Sequence, residues 1–234
     1  MSGTNSRYIA MLTLSHSEVT TLEMSALFYC REDLLLNNIP FRLTSLKFLP
    51  NFHTPELILT LIHLSSESLE QLKLDLYRHP DLTPVLDVPE QLRPLPTLKL
   101  RHLSANFTTR KITNHILDHS PSITTLEILN PEPVSFAETL SHVARPLESL
   151  VLVGMMPPLP HFRHEEYDVL GLVERELKRG EGALAGLRSI AFSLLEADVR
   201  AVEDGRLVAL LEVKGISATY SFGPDFVSGA VLDT

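Results

Sequence analysis

Histidine and cysteine are the side chains of this sequence best suited to bind a metal or attack a substrate. His115 and His119 are four residues apart in a segment predicted to be helical, a spacing that can hold zinc on one helix face. Ile112 and Ile116 share that face, so we expect both histidines to border a packed apolar stripe. Cys30 lies among apolar residues and is expected to be a buried structural thiol. We therefore expect no catalytic residue, no metal site and no cofactor, and we do not expect an enzyme.

Three lysines recur at a constant interval in similar surroundings. Lys47, Lys73 and Lys99 each lie between two apolar residues, as in Leu46-Lys47-Phe48. If the three segments are neighbouring strands in register, the lysines lie side by side, about 4.8 Å apart. On a chain of net charge −9, such a basic column would suit a protein partner with an acidic segment. The alternative is that the lysines are ordinary solvated surface.

The lysines belong to a phrase that the chain repeats: an apolar residue, two spacers, an apolar residue, one spacer and a third apolar residue. Copies begin at residues 9, 43, 69, 95, 123, 147 and 187, with a degraded copy at 216, about 24 to 40 residues apart, which is typical of stacked-repeat proteins. Each copy predicts a strand whose fourth and sixth residues face a shared core, while its fifth residue faces the other way. We expect these fourth residues on neighbouring parallel strands: Leu46, Leu72, Leu98 and Leu126.

Helical patterns occupy several of the intervals between the strands. Thr54 and Pro55 predict the start of one helix, and Ser135 with Glu138 has the spacing of a capping box at the start of another. A long helix is predicted over 164–179 and a short one over 207–213, each followed closely by glycine.

Residues 17–30 fit two structures. The stretch from Val19 to Met24 repeats the strand phrase, but it begins too soon after the copy ending at Leu14 for a crossover connection. We favour a helix from about Ser17 to Cys30 and keep an additional strand as the alternative.

Composition and charge indicate which kinds of partner and which cellular compartment to expect. The net charge of −9 argues against general nucleic-acid binding, and the single cysteine fits a reducing compartment. The most apolar run, residues 57–64, is too short to cross a bilayer, and the N-terminus does not read as a secretion signal. We expect a cytoplasmic or nuclear protein that binds neither membrane nor nucleic acid.

The phrase Leu147-Glu-Ser-Leu150-Val-Leu152 and the closing order of elements resemble the leucine-rich-repeat region of fungal F-box-type proteins. In that family a long charged helix, a Leu-x-Ser strand, a short helix with a Leu-Leu pair, a glycine and a final strand follow one another. The corresponding segments here are residues 168–179, 187–192, 207–213, 215 and 216–222.

This resemblance covers nearly the whole chain and implies the substrate-recognition part of a cullin-type ubiquitin-ligase subunit, with the ligase adaptor as a further partner. The F-box module itself is not visible in the sequence. The chain is therefore either a piece of such a subunit or a repeat adaptor or scaffold without any ubiquitin link.

We predict an α/β leucine-rich-repeat solenoid of about eight units, with a curved parallel sheet inside and helices and loops outside, as a single domain over 1–234. Its expected function is protein–protein interaction through the inner face of the sheet. The predicted partner-binding residues are those that the phase of the motif directs to that face or beside it: Lys47, Lys73, Lys99, Arg101, Glu127, Gln71, Asp75, Thr97 and Thr125.

Overall fold

Within the described residues, eight strands form one open sheet, in which neighbours follow chain order and every pair is parallel. The structure is a computed structural model that describes residues 20–24, 42–48, 55–74, 94–106, 110–155, 169–194 and 206–222. The strands are β1 (Thr21–Met24), β2 (Ser45–Phe48), β3 (Gln71–Leu74), β4 (His102–Asn106), β5 (Thr125–Leu129), β6 (Ser149–Met155), β7 (Ser189–Leu194) and β8 (Ser217–Phe222).

Helices lie in several of the connections between these strands. Within the described residues they are α1 (Pro55–Leu64), α2 (Arg110–Asp118), α3 (Pro133–Ser141), α4 (Val169–Arg179) and α5 (Arg206–Lys214), with a 3-10 helix at Gly182–Leu184. Each α-helix lies between two strands that pair in parallel, so it carries the chain across to the next position in the sheet. The chain is thus an α/β fold with a single open parallel sheet, an arrangement compatible with a solenoid.

One backbone hydrogen-bond pattern recurs at the start of the strands. The carbonyl of Thr20 accepts the N–H groups of Thr44 and Ser45 at 2.7 and 3.1 Å, and the carbonyl of Thr44 accepts those of Glu70 and Gln71, both at 2.9 Å. Four further carbonyls each accept two successive N–H groups of the next unit: those of Glu70, Arg101, Thr124 and Glu148. Because a carbonyl oxygen has two lone pairs, one acceptor can fix two donors, and the pattern sets a common register.

The buried side of the sheet is the side that carries the repeated leucines. Leu46, Leu72, Leu103 and Leu126 pair across successive strands and are at most 1% exposed. Helix residues such as Ile116 belong to the same apolar cluster. Side chains alternate along a strand, so the residues between the core positions point away from this cluster. We call the side to which they point the open face.

The fourth strand differs from the prediction. Leu98 was expected beside Leu72, but β4 begins after it, and Leu103 is the residue that pairs with Leu72. Leu98 nevertheless lies in the core, and its N–H donates to the carbonyl of His119 at 2.7 Å. The copy of the phrase that begins at residue 95 therefore supplies core leucines without forming the predicted strand.

Proline explains this shift. In β4 the N–H groups of Arg101 and His102 donate to the carbonyl of Glu70 at 2.8 and 3.0 Å. In the predicted copy the first of these donors would be Pro96, which has no N–H. The recurring hydrogen-bond pattern can therefore form only with the copy that begins at residue 100.

The first described strand also differs from the prediction. A helix over residues 17–30 is wrong for the described part of that stretch, because β1 pairs with β2 in the register Thr21 to Ser45 and Leu22 to Leu46. The short gap that counted against a strand was measured from the predicted copy at Ile9–Leu14, which lies outside the described residues. The alternative that we kept, a strand ending at Met24, is the observed structure.

The helices predicted in the intervals from Thr54 onward are observed, with one shift at a helix start. Residues 164–168 of the long predicted helix lie outside the described residues. The helix predicted from Ser135 begins at Pro133, with Glu132 as its N-cap residue, and the Ser135 hydroxyl donates to Glu132 Oε2 at 2.8 Å. Proline suits the first turn because it has no N–H to leave unpaired. The long and the short C-terminal helices stop at Gly180 and Gly215, whose φ angles of +70° and +66° fit a left-handed helix end.

Successive helices stack in step with the strands. Asn114 of α2 donates from Nδ2 to Glu138 Oε1 at 3.2 Å and accepts at Oδ1 from the Thr139 hydroxyl at 3.1 Å. At the ends of the same two helices, His142 Nδ1 lies 2.7 Å from Asp118 Oδ1. These partners are 24 or 25 residues apart, so equivalent positions of consecutive units are in contact.

A close backbone approach fixes the end of β6. Gly154 has φ +69°, and the register with β7 shifts between Val153 and Met155. The N–H of Asn130 donates to the carbonyl of Val153 at 2.6 Å, and a Cβ atom at position 154 would lie 2.3 Å from Asn130 Oδ1. The positive φ angle therefore favours glycine here, and a Cβ would also force the Asn130 side-chain amide to move.

Gly154→Ala should destabilise the fold more than Gly180→Ala, its matched control. Both glycines have a positive φ, but a Cβ at position 180 would meet nothing within 4 Å. We expect Gly180→Ala to lower the free energy of unfolding by about 1–2 kcal/mol from the backbone angle alone. Gly154→Ala should cost about 1–3 kcal/mol more because of the overlap with Asn130. Urea denaturation of each variant measures the difference.

Asn130→Gly provides the second arm of this test, since glycine tolerates the φ of +49° found at that position. In the Asn130→Gly background, Gly154→Ala should cost no more than Gly180→Ala does. A penalty at position 154 that persists after the Asn130 side chain is removed would contradict the proposed overlap.

Candidate protein-binding face

Two rows of side chains cross the open face, with one residue from each strand in each row. The polar row precedes the core position and consists of Thr21, Ser45, Gln71, His102, Thr125, Ser149, Ser189 and Ser217. The central row follows the core position and consists of Glu23, Lys47, Lys73, Ser104, Glu127, Val151, Ala191 and Thr219.

Charges in the central row are paired with one another along the sheet. Lys47 Nζ lies 3.3 Å from Glu23 Oε2, and Lys73 Nζ lies 3.8 Å from Glu127 Oε1. His102, in the polar row, places Nε2 3.6 Å from Glu127 Oε2. Each lysine of the row thus has a carboxylate beside it, and β1 to β5 present paired charges rather than a basic surface.

Among the paired charged side chains of the open face, that of Glu127 is the least exposed to solvent. Its side chain is 18% exposed, and burial alone would raise its pKa. The close approach of His102 and the charge of Lys73 oppose that effect, and the pKa of Glu127 lies below its ordinary value. Ser104 also favours the carboxylate, although its buried hydroxyl makes no hydrogen bond of standard geometry among the described residues.

The part of the central row from β6 to β8 is uncharged. Val151 and Ala191 are half-buried neighbours in this row, and Val153 lies further along β6 on the same face. Ser149 and Ser189, in the polar row, flank this small apolar area. The open face therefore has a charged half over β1 to β5 and a neutral half over β6 to β8.

The predicted column of three lysines is wrong in its third member. Lys47 and Lys73 pair on neighbouring strands as predicted, but the residue next to Lys73 in the row is Ser104. Lys99 is exposed in the segment that precedes β4, because that strand uses the later copy of the phrase. Glu127 is in the central row two strands from Lys73, as expected.

The remaining predicted site residues are dispersed. Gln71 and Thr125 lie in the polar row, with His102 between them. Thr97 and Arg101 are exposed in the segment before β4 and belong to neither row. Asp75 lies outside the described residues.

Sequence reasoning missed His102 and Ser104, and it had a usable signal for both. Pro96 cannot donate the first hydrogen bond of the recurring pattern, which points to the copy in which these two residues occupy the rows. Val151 was missed for another reason. It occupies the fifth position of a correctly predicted strand, but a search for charged side chains passes over valine.

The two candidate metal-binding histidines are in contact with each other. The rings of His115 and His119 are 4.7 Å apart in an edge-to-face arrangement. His119 Nδ1 lies 2.9 Å from the carbonyl oxygen of His115, so this nitrogen carries the proton. In the described ranges, no group of three or more His, Cys, Asp or Glu side chains is arranged to hold a metal ion. Cys30 lies outside these ranges.

No protein-family model, curated protein or solved structure matches this chain. In the part of the chain that the structure describes, none of the helices combines the length and apolar character needed to cross a bilayer. The geometry of the open face is therefore the basis on which a function is inferred.

Glu127→Gln tests the ionic cluster through the pH dependence of stability. The lowered pKa means that the Glu127 charge stabilises the fold above its unfolded-state pKa, and this stabilisation is lost as the pH falls through the native-state pKa. We expect Glu127→Gln to lower the free energy of unfolding by about 1 kcal/mol near neutral pH. The difference from wild type should disappear below the native pKa of Glu127. Urea denaturation across the acidic range measures it.

Glu23→Gln is the control, because Glu23 also pairs with a lysine but its side chain is 51% exposed. It should change stability less than Glu127→Gln does, since solvent screens the exposed pair. A Glu127→Gln effect that stayed constant at every pH would show that the lost stability does not come from the ionised carboxylate.

Proposed function

We propose that this chain is a leucine-rich-repeat solenoid that serves as a protein–protein interaction module, and that its partner binds the open face. The observation that carries the proposal is the in-register array of side chains, most of them half-buried or exposed, on one face of the eight described parallel strands. Seven strand intervals of about 4.8 Å make an array about 34 Å long. A surface of this length suits a macromolecular partner better than a small molecule.

The rigidity of the sheet supports this role. The side chains of the two rows are held by strands whose register is fixed by the repeated carbonyl contacts. Binding to such a surface requires little ordering of the protein itself, which lowers the entropic cost of association.

The neutral half of the open face is the better contact area. In the charged half, Lys47 and Lys73 already have carboxylate neighbours, which weakens their attraction for an acidic partner. Val151, Val153 and Ala191 are half-buried apolar side chains with serines around them, a composition that fits an interface centre with a polar border. We therefore assign the main contact to the area around Val151.

A more specific role follows from the family resemblance. As the substrate-recognition part of an F-box-type ubiquitin-ligase subunit, the face would hold the protein to be modified. A repeat adaptor or scaffold would use the same face without any ubiquitin link. Co-purification of a cullin-ligase adaptor subunit with the full gene product supports the first role, and its absence from a complex that contains the partner supports the second.

Val151→Arg should abolish partner capture, and Val134→Arg is its matched control. Both changes place the same large cation on an accessible valine, but Val134 lies on α3 and is 59% exposed, away from the open face. Equal amounts of the wild-type and variant proteins are used as baits, and recovered proteins are quantified by mass spectrometry. We expect a partner whose recovery falls about tenfold or more with Val151→Arg and is unchanged with Val134→Arg.

Thermal unfolding of the three baits separates lost binding from lost folding. The variants should unfold near the wild-type temperature, since neither position is fully buried. Partners recovered equally by Val151→Arg and wild type would rule out the area around Val151 as the binding site.

A further inference from the structure

The last strand of the described sheet lacks the usual features that protect a sheet edge. In the described part of the chain, β8 has a neighbour only in β7. Its sequence, Ser-Ala-Thr-Tyr-Ser-Phe, contains no charged residue and no proline, the usual features that stop an edge strand from pairing with another chain. The opposite edge differs, because β1 has only four residues and carries Glu23. The two ends of the sheet are thus unequal in their capacity to accept a further strand.

The backbone groups available on this edge follow from the pairing with β7. The N–H of Ser217 donates to the carbonyl of Arg188 at 2.9 Å, so Ser217 directs its backbone toward the sheet. In a parallel strand between two neighbours, alternate residues direct their backbone groups to opposite sides. Thr219 therefore also faces β7, whereas Ala218 and Tyr220 direct N–H and C=O outward.

We propose that the outer edge of β8 pairs with the β8 strand of a second copy of this chain. The two strands run antiparallel about a two-fold axis through Thr219. This register places Ala218 opposite the partner's Tyr220, and these are the residues whose backbone groups face outward. Each such pair exchanges two hydrogen bonds, and the two-fold axis generates it twice.

In this register the β8 side chains of one copy complement those of the other copy. Small Ala218 faces large Tyr220 on the core side, and Ser217 faces Ser221 on the open face, where both are exposed. Thr219 meets its own copy on the axis, also on the open face. Hydroxyl pairs and pairs of small and large side chains are favourable across strands, and this register opposes no like charges.

The helical layer is compatible with the same symmetry. A two-fold axis perpendicular to the sheet keeps the helices of both copies on one side of the joined sheet. Helix α5, which packs against β8, then lies next to its symmetry mate. Val213 of α5 is 85% exposed, so this helix carries an exposed apolar side chain. This interface is formed along the edge of β8 and leaves the open face of the other strands accessible.

Thr219→Lys tests the axis directly, because it places two ammonium groups against each other. Sedimentation equilibrium of the wild type, from about 1 µM to about 500 µM, should show a rise from 26.2 kDa to twice that mass. Thr219→Lys should weaken dimer formation by about tenfold or more. Ala191→Lys is the matched control, since Ala191 precedes Thr219 in the central row but lies on the internal strand β7. It should dimerise like the wild type.

A mixture of Thr219→Lys and Thr219→Glu proteins gives the sharpest result. Each variant alone should dimerise more weakly than the wild type, but the mixture should form a heterodimer, because only a symmetric pairing at Thr219 brings the opposite charges together. In the wild type, hydrogen-exchange protection of the Ala218 and Tyr220 amides should increase with protein concentration.

Several results would overturn the proposal. A wild-type protein that is monomeric at the highest concentration has no such interface. If Ala191→Lys weakened the dimer as much as Thr219→Lys does, the contact would lie on the open face instead of the β8 edge. If hydrogen-exchange protection of the Ala218 and Tyr220 amides did not change with protein concentration, the edge would already be covered within a single chain. Growth into long oligomers would indicate head-to-tail stacking instead of symmetric pairing.

Discussion

The contact of one backbone carbonyl with two successive N–H groups of the next unit is the constraint on which the structure depends. It recurs from β1 to β7, and its N···O distances stay between 2.7 and 3.1 Å. Since it fixes where each strand begins relative to its neighbour, it also aligns the leucines into one core and the intervening residues into two rows. A shift of one residue would exchange the buried and the open faces.

The central row shows how this register determines which charged side chains become neighbours. Lys73 and Glu127 are on strands that do not touch, and they approach because the strand between them carries Ser104, a small side chain that lies buried beneath the pair. Their interaction is one reason why the pKa of Glu127 stays low despite burial. Three strands must therefore be in register before this ion pair can exist.

A stack of units exposes two ends as well as two faces. Internal strands satisfy their backbone groups on both sides, so only β1 and β8 have outward-facing groups in the described sheet. Glu23 on the β1 edge opposes further pairing, whereas β8 has no such charge. The proposed partner-binding face and the proposed self-pairing edge are thus different surfaces of one repeat architecture, and both can be occupied at once.

The sequence alone determined the strands whose phrase has a single copy, such as β3 and β6, because apolar alternation and interval length are local properties. The apolar pattern could not distinguish the copies at Leu95 and Leu100, since both satisfy it. The choice depends on which copy can donate two N–H groups to Glu70, a residue of the preceding unit. The candidate site has the same limit. The sequence shows the positions of the lysines, but it does not show which carboxylates of other strands lie beside them. Only the tertiary structure decides those neighbours, because the register between units is set by contacts distant in the chain.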